Sequence, residues 1–313
     1  MSKIVFGVDI GGTTVKLGVF KVDGTLMDKW EIPTRTTEGG KYIFTDIADS
    51  ILTKMAALGY AKEDCAGVGV GAPGPVDSNG IIYGAINLGW GDVNLYEKFT
   101  ELLGMPVKAG NDANVAALGE MWQGGGQGYT DIVAVTLGTG IGGGVIVGGK
   151  LLTGSNGAGG EIGHIPVEEN ETETCGCGKK GCAEQYGSAT GVVRLAKRRL
   201  ALDNKPSTLR KADRLSAKMV WDAVKAGDEV AIDVAKQFGY YVGKMTAAIA
   251  CVTNPQAFVV GGGVSKAGEV LFEYIRPEFE RMVFKPCKNV DFKLATLGND
   301  AGIYGAAKLV LGE

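Results

Sequence analysis

At 313 residues, with hydrophobic residues at 45% and charged ones at 21%, the chain has a globular composition and the length for a large core in about two domains. Its formal net charge of −3 gives no electrostatic reason to expect a nucleic-acid or membrane surface, and no apolar run reaches the ~18 residues of a membrane-spanning helix. The start lacks an apolar leader, and Cys65, Cys251 and Cys287 stand isolated and are expected as buried free thiols, so a reducing cytoplasm is the expected compartment.

Residues 3–10, KIVFGVDI, read as a buried strand that ends in the turn Gly11-Gly12-Thr13-Thr14. Strands at 15–20 and 25–32 follow through tight turns, which predicts an antiparallel meander. Ile43, Ile47, Ile51 and Leu58 recur at helical spacing, so a helix is expected over 41–58. A strand at 66–73, a Gly/Pro loop, a helix at 95–103 and a short strand at 105–110 come next, and Asn111-Asp112 opens a helix to about Trp122. The 51 glycines, well above the usual ~7%, show no collagen-like period and are expected at tight turns and where backbone approaches a ligand.

After the break at 124–129 the pattern starts again: a strand at 131–138, the turn Thr139-Gly140, and a strand with its return over 141–152. Sliding the sequence by 126 positions matches Gly12 with Gly138, Thr13 with Thr139 and Gly18 with Gly144, a faint repeat suggesting two lobes of one architecture. Helices are predicted at 188–202, 215–226 and 228–252, with the nine basic residues of 194–218 on a solvated face. A buried strand at 256–263 then turns through glycines into a helix at 265–284, followed by a strand at 288–297 and a last helix from Asp300 to Leu311. Strand meanders followed by alternating helices and strands, done twice, make an α/β arrangement.

Four places carry chemistry. His164, the only histidine, lies near Cys175, Cys177 and Cys182, and three soft sulfurs with one imidazole suit a tetrahedral, structural Zn²⁺. A disulfide or scattered thiols would be the plainer explanation. Asp9-Ile-Gly-Gly-Thr-Thr-Val-Lys16 sets a carboxylate at a strand end before backbone N–H groups, hydroxyls and an ammonium that can cradle phosphates, with Asp9 offered to Mg²⁺. An ordinary hairpin turn accounts for the same residues. Gly138-Thr139-Gly140 is a second phosphate clamp, and Gly261-Gly262-Gly263 a third turn, placed to hold the nucleoside on the amides and dipole of the helix that follows. Asp112, at the start of its helix, reads by itself as an N-cap.

DIGGTTVK, GAPGPVD (71–77), GNDANVAALGE (110–120), TLGTGIGGGVIVGGKLLTGSNGAGGEIGH (136–164) and CGCGKKGCAE (175–184) closely resemble the ROK family (repressor, open reading frame, kinase). The resemblance implies an α/β, two-lobed actin-like (ribonuclease-H-like) ATPase fold with a zinc knuckle. A small N-terminal lobe is expected over 1–112, with the last helix, about 300–313, packing back on it; 113–313 would form a larger lobe carrying the zinc site. It implies ATP with Mg²⁺ as cofactor and one structural zinc held by His164, Cys175, Cys177 and Cys182. Asp112 matches the family's catalytic Asp, while Asn111, Glu161, His164 and Glu184 match its sugar-binding positions. Gly74 and Asn87 are further sugar-side candidates. Asp9, Gly11, Gly12, Thr13, Thr14, Lys16, Gly138, Thr139, Gly140, Gly261, Gly262 and Gly263 are the nucleotide-side ones.

The expected function is ATP-dependent phosphorylation of a hexose, most of all glucose to glucose 6-phosphate, with a small-molecule sugar and ATP as partners and a homo-oligomer, dimer or tetramer, as the assembly. Kinases for fructose, mannose or N-acetylmannosamine share the scaffold, and polyphosphate is an alternative donor. A sugar-sensing repressor would place a winged-helix domain before the first strand, where only Met1 and Ser2 stand.

Overall fold

The computed structural model describes residues 3–312. Twelve strands and ten helices follow one another among the described residues, together with short 3₁₀ turns. They form two compact units: residues 1–130, 144–160 and 297–313 make the first, and 131–143 with 161–296 the second.

The first unit is built on a five-stranded sheet of order β3-β2-β1-β4-β7, from β1 (Ile4–Ile10), β2 (Thr14–Lys21), β3 (Leu26–Pro33), β4 (Cys65–Ala72) and β7 (Val107–Asn111). The expected meander is there, with β1 antiparallel to β2 and parallel to β4. Helices α1 (Thr37–Gly40), α2 (Ile43–Ala57), α3 (Leu95–Leu103), α4 (Asp112–Gln123) and α10 (Ala301–Leu311) complete it. The segment expected as a Gly/Pro loop instead holds a hairpin, β5 (Ile81–Ala85) with β6 (Trp90–Asn94). Its Ile82 and Ala85 join Phe6, Val8, Ile47 and Phe99 in the core.

The last helix is so close to the sheet that glycine is obligatory beneath it. A Cβ at Gly7 would lie 1.9 Å from Ile303 O and one at Gly69 1.7 Å from Ala306 O. Gly7 and Gly69 are register partners on adjacent strands, so they form one bare patch on which α10 rests. Gly305 on α10 meets Val115 O of α4 at 1.7 Å in the same sense. Many glycines thus serve backbone-to-backbone packing rather than turns or ligands. Because α4 is wedged against α10, the division between units falls after residue 130 instead of at the expected 112, and residues 144–160 also join the first unit.

A second five-stranded sheet has the order β10-β9-β8-β11-β12, from β8 (Ile132–Leu137), β9 (Ile141–Val147), β10 (Lys150–Leu151), β11 (Ala257–Gly261) and β12 (Asp291–Leu294). Strand for strand this repeats the order of the first sheet, as the 126-residue sequence repeat leads one to expect. Helices α5 (Glu184–Gly187), α6 (Ala189–Leu202), α7 (Ala217–Lys225), α8 (Glu229–Thr253) and α9 (Val270–Met282) belong to the second unit. Of the thiols expected to be buried, Cys65 is; Cys251, near the end of α8, is exposed and Cys287 is half-buried. Among the described residues no helix is long and apolar enough to cross a membrane.

Candidate active site

The site residues of the first unit gather where β1, β4 and β7 end and where β2 begins. Between β1 and β2 the chain reverses at Gly11-Gly12-Thr13, with Gly11 N donating to Thr14 O at 3.1 Å. Thr34 locks this turn from the end of β3: its Oγ1 donates to Gly11 O at 2.7 Å and its N to Thr13 O at 2.9 Å. Gly12 and Thr13 stay exposed, leaving the amide-rich bend open to a ligand. The hairpin register sets Asp9 opposite Lys16, and Lys16 Nζ reaches Asn299 O at 3.2 Å. Burial pushes the Asp9 carboxyl above its ordinary pKa; the Lys16 charge opposes this and the Asp112 carboxylate adds to it. Asp9, Lys16 and Asp112 therefore share one electrostatic neighbourhood.

Asn111 ends β7 and caps α4, its Oδ1 accepting from Ala113 N at 3.0 Å and Asn114 N at 3.2 Å. Its Nδ2 donates to Gly74 O at 3.2 Å, and Gly74 has φ +136°, a conformation that disfavours a side chain. Asp112 is the first helical residue, with Oδ1 accepting from Ala113 N at 2.8 Å. The capping role weighed for Asp112 thus belongs to Asn111. Asn87 is exposed in the 3₁₀ turn Ile86–Leu88, with its Cβ 4.0 Å from where a Gly12 Cβ would be. Asn114, not singled out in the sequence, is buried and donates from Nδ2 to Gly159 O at 3.3 Å, fastening the 152–160 loop to α4.

In the second unit, Gly138-Thr139-Gly140 reverses the chain between β8 and β9, with Gly138 N donating to Gly140 O at 3.0 Å. Two residues at the start of α6 hold the turn, Ala189 N donating to Gly138 O at 2.8 Å and Thr190 Oγ1 to Thr139 O at 2.7 Å. The third turn lies against this one, since a Cβ at Gly262 would be 2.6 Å from Leu137 O. Gly261–Gly263 does not open a long helix as expected. A four-residue 3₁₀ turn, Val264–Ala267, follows it, and α9 begins only at Val270, so no long-helix dipole points at these amides.

The knuckle closes on itself through Cys175 N to Lys179 O at 2.7 Å and Gly178 N to Cys175 O at 2.9 Å. One ligand atom from each of His164, Cys175, Cys177 and Cys182 lies within 4.8 Å of all the others. Three thiols and an imidazole at this mutual distance are a donor set that fits a four-coordinate soft cation. Glu184 Oε1 is 2.8 Å from Cys175 Sγ and 3.7 Å from His164 Nδ1, and Glu161 Oε2 is 3.8 Å from His164 Nε2. The two carboxylates suggested for sugar recognition thus flank the one imidazole.

Four residues before Cys175 sits the buried Glu171, which no sequence pattern singled out. It accepts from Arg194, from Arg198 at 3.0 Å, from the Tyr186 hydroxyl, and from the amides of Thr172 at 2.8 Å and Glu173 at 2.9 Å. Burial raises its pKa, but hydrogen bonds from Arg198, Tyr186, Glu173 N and Arg194 outweigh this and hold it well below the usual carboxylate range. The basic stretch expected as a solvated face is therefore partly internal: Arg194 and Arg198 clasp the knuckle loop, and the buried Arg199 pairs with Asp203 and Asp233. The i, i+4 spacing of Arg194 and Arg198 was the available signal, without its partner.

Comparison with known proteins gives a consistent result. The ROK family model matches residues 5–313. A glucokinase of Halalkalibacterium halodurans is 44% identical over 97% of this chain and 94% of its own length. A ROK family glucokinase from Streptomyces griseus, solved with glucose and AMPPNP, is 36% identical, covers 98% of both chains and superposes with a TM-score of 0.73. A ROK hexokinase from Thermus thermophilus is 32% identical, covers 97% of this chain and 96% of its own, and gives 0.80.

Proposed function

This chain belongs to the ROK family, and from that premise we propose that it is an ATP-dependent hexose kinase acting on glucose, at O6. Its fold is the two-lobed, actin-like (ribonuclease-H-like) one of that family, with the repeated sheet order described above. Phosphoryl transfer asks an enzyme chiefly for positioning, charge compensation and a base for the attacking hydroxyl. Asp112 is that base: its carboxylate takes the hydroxyl proton as the oxygen attacks the γ-phosphorus, the bond to the β,γ-bridging oxygen breaks, and ADP leaves with that electron pair.

Asn111, Glu161, His164 and Glu184 are the donors and acceptors for sugar hydroxyls, and Gly74 and Asn87 are further sugar-side residues. A site built this way rejects sugars that cover its polar groups without pairing them. The Gly11–Thr14, Gly138–Gly140 and Gly261–Gly263 turns offer backbone N–H groups to the nucleotide, and Lys16 adds a positive charge. Mg²⁺ when bound supplies charge against the phosphate oxygens, and Asp9 is the carboxylate that would hold it, directly or through water. His164, Cys175, Cys177 and Cys182 would hold Zn²⁺ with no open position, so the metal shapes the sugar side and takes no part in the reaction.

The observation that carries the base assignment is the capping of α4 by Asn111, which accounts for the helix start without Asp112. The test is a coupled assay of ATP consumption over glucose, mannose, fructose and N-acetylated hexosamines, with Asp112→Asn beside the native enzyme. Glucose should give the highest kcat/KM, and the variant should lose about 10³-fold in kcat while keeping its glucose Kd. Near-native turnover in the variant would remove Asp112 from the reaction.

A further inference from the structure

The turn assigned to phosphate and the acid assigned to sugar are not separate pieces. A Cβ built on Gly140 would lie 2.6 Å from Glu184 Oε2, well inside contact distance. Gly140 is not among the residues with positive φ, so its backbone does not itself require glycine. What the missing side chain provides is room for the Glu184 carboxylate, whose Oε2 accepts from Ile141 N at 3.4 Å.

The backbone of Glu184 is tied to the same turn from the other side. Glu184 O accepts from Ser188 Oγ at 2.6 Å, while the next two residues, Ala189 and Thr190, donate to Gly138 O and Thr139 O. The strand after the turn also presses on the residue beside His164, since a Cβ at Gly163 would meet Ile141 O at 2.3 Å.

We propose that Gly140 is a positioning residue for sugar recognition: by leaving space for the Glu184 carboxylate, it makes one rigid piece of the phosphate turn and the sugar-side acid. Occupation of either is then felt by the other, and the coupling is reciprocal in binding free energy. The inference rests on the reading of Glu184 as a sugar ligand. It predicts an effect that a phosphate clamp alone would not have, because a change at Gly140 alters sugar affinity with no nucleotide present.

The test measures glucose Kd by calorimetry on the zinc-loaded enzyme without nucleotide, for the native chain, Gly140→Ala, Thr190→Val and Glu184→Gln. Since the atom in the way is the far end of a flexible side chain, Gly140→Ala should fold, with a Tm within about 2 °C of native. Its glucose Kd should rise about tenfold, and glucose KM should rise more than ATP KM. Thr190→Val, which removes the bond to Thr139 O, should raise glucose Kd in the same direction, and it decides the matter if Gly140→Ala does not fold. Unchanged glucose Kd in Gly140→Ala, or an effect confined to ATP KM, overturns the proposal while leaving Glu184 as a ligand. Unchanged glucose Kd in Glu184→Gln removes the premise, and the proposal falls with it.

Discussion

Asn111 caps the helix that Asp112 begins, so two adjacent polar residues at the end of β7 divide the work that either alone could have claimed. Asn111 spends its carbonyl oxygen on α4 and its amide on Gly74 O. Replacing it by Ala should cost about 1 kcal/mol of stability, the usual worth of a lost N-cap, seen as a lower urea midpoint with unchanged m. Asn111→Asp keeps the cap but gives up the bond to Gly74 O. It should recover most of the stability while glucose KM stays raised; recovery of both would confine Asn111 to a structural part.

Asp9 should trade stability for function. Its pKa is raised mainly by burial, so the ionised form weakens the fold. As pH rises through the unfolded carboxyl value of about 3.9 and on through the higher folded one, stability is lost, and above that the penalty is constant. Asp9→Asn removes the ionisation, so its Tm should exceed native at pH 7, with the gain shrinking as pH falls toward 4. Its kinase turnover should drop at least tenfold. A Tm below native at every pH would mean that Lys16 contributes more than burial takes away.

The sign is opposite at Glu171. Its folded pKa is depressed, so its contribution is present above the unfolded carboxyl value of about 4.3 and is lost as pH falls from there toward the folded value. Glu171→Gln leaves Arg194 and Arg198 facing a neutral group in a buried setting and should cost about 3 kcal/mol near pH 7. Denaturant curves for the two proteins should begin to approach each other below about pH 4 and go on converging as pH falls toward the folded value. A constant difference across pH would show that packing, rather than charge, holds the knuckle loop.

Metal analysis should find about one zinc per chain. Cys177 is the one exposed thiol of the Cys/His cluster, so Cys177→Ala leaves no cavity to confuse the result. The variant should lose zinc together with most glucose affinity, as should the native enzyme after a strong chelator. A metal-free protein with native glucose Kd would show that the knuckle holds its shape unaided.

Beneath α10, Gly69→Ala should be among the most damaging substitutions, costing more than about 4 kcal/mol or preventing soluble expression, because the obstruction is backbone and cannot rotate away. Gly91→Ala is the control: nothing lies within 4 Å of its Cβ and its φ is not positive, so it should stay within about 0.5 kcal/mol of native.

What the sequence revealed and what it hid follow from distance along the chain. Local signals were readable: hydrophobic runs marked the strands, Asn111-Asp112 announced the start of α4, and the spacing of Cys175, Cys177 and Cys182 with His164 anticipated the cluster those four side chains form. The 126-residue offset anticipated the repeated sheet order. The β5–β6 hairpin was hidden because its strands are five residues each and broken by glycine and asparagine. Glu171 was hidden because its arginines lie 23 and 27 residues away and look like a solvated stripe until folded. The glycine patch under α10 was hidden for the same reason, since the fit joins Gly69 to Ala306.

The bare Gly7–Gly69 patch also sets an order of events during synthesis. Strands β1 and β4 and helix α4 leave the ribosome early, yet the helix that covers them begins at Ala301, after every element of the second unit. At an ordinary elongation rate of about 5–20 residues per second, the first sheet waits roughly 10–40 s with that face uncovered. With only hydrogen atoms on its glycines, the waiting patch offers little apolar surface to a wrong partner. The second unit can thus fold first while the first unit stays incomplete, and its core closes only when the last helix slots into place.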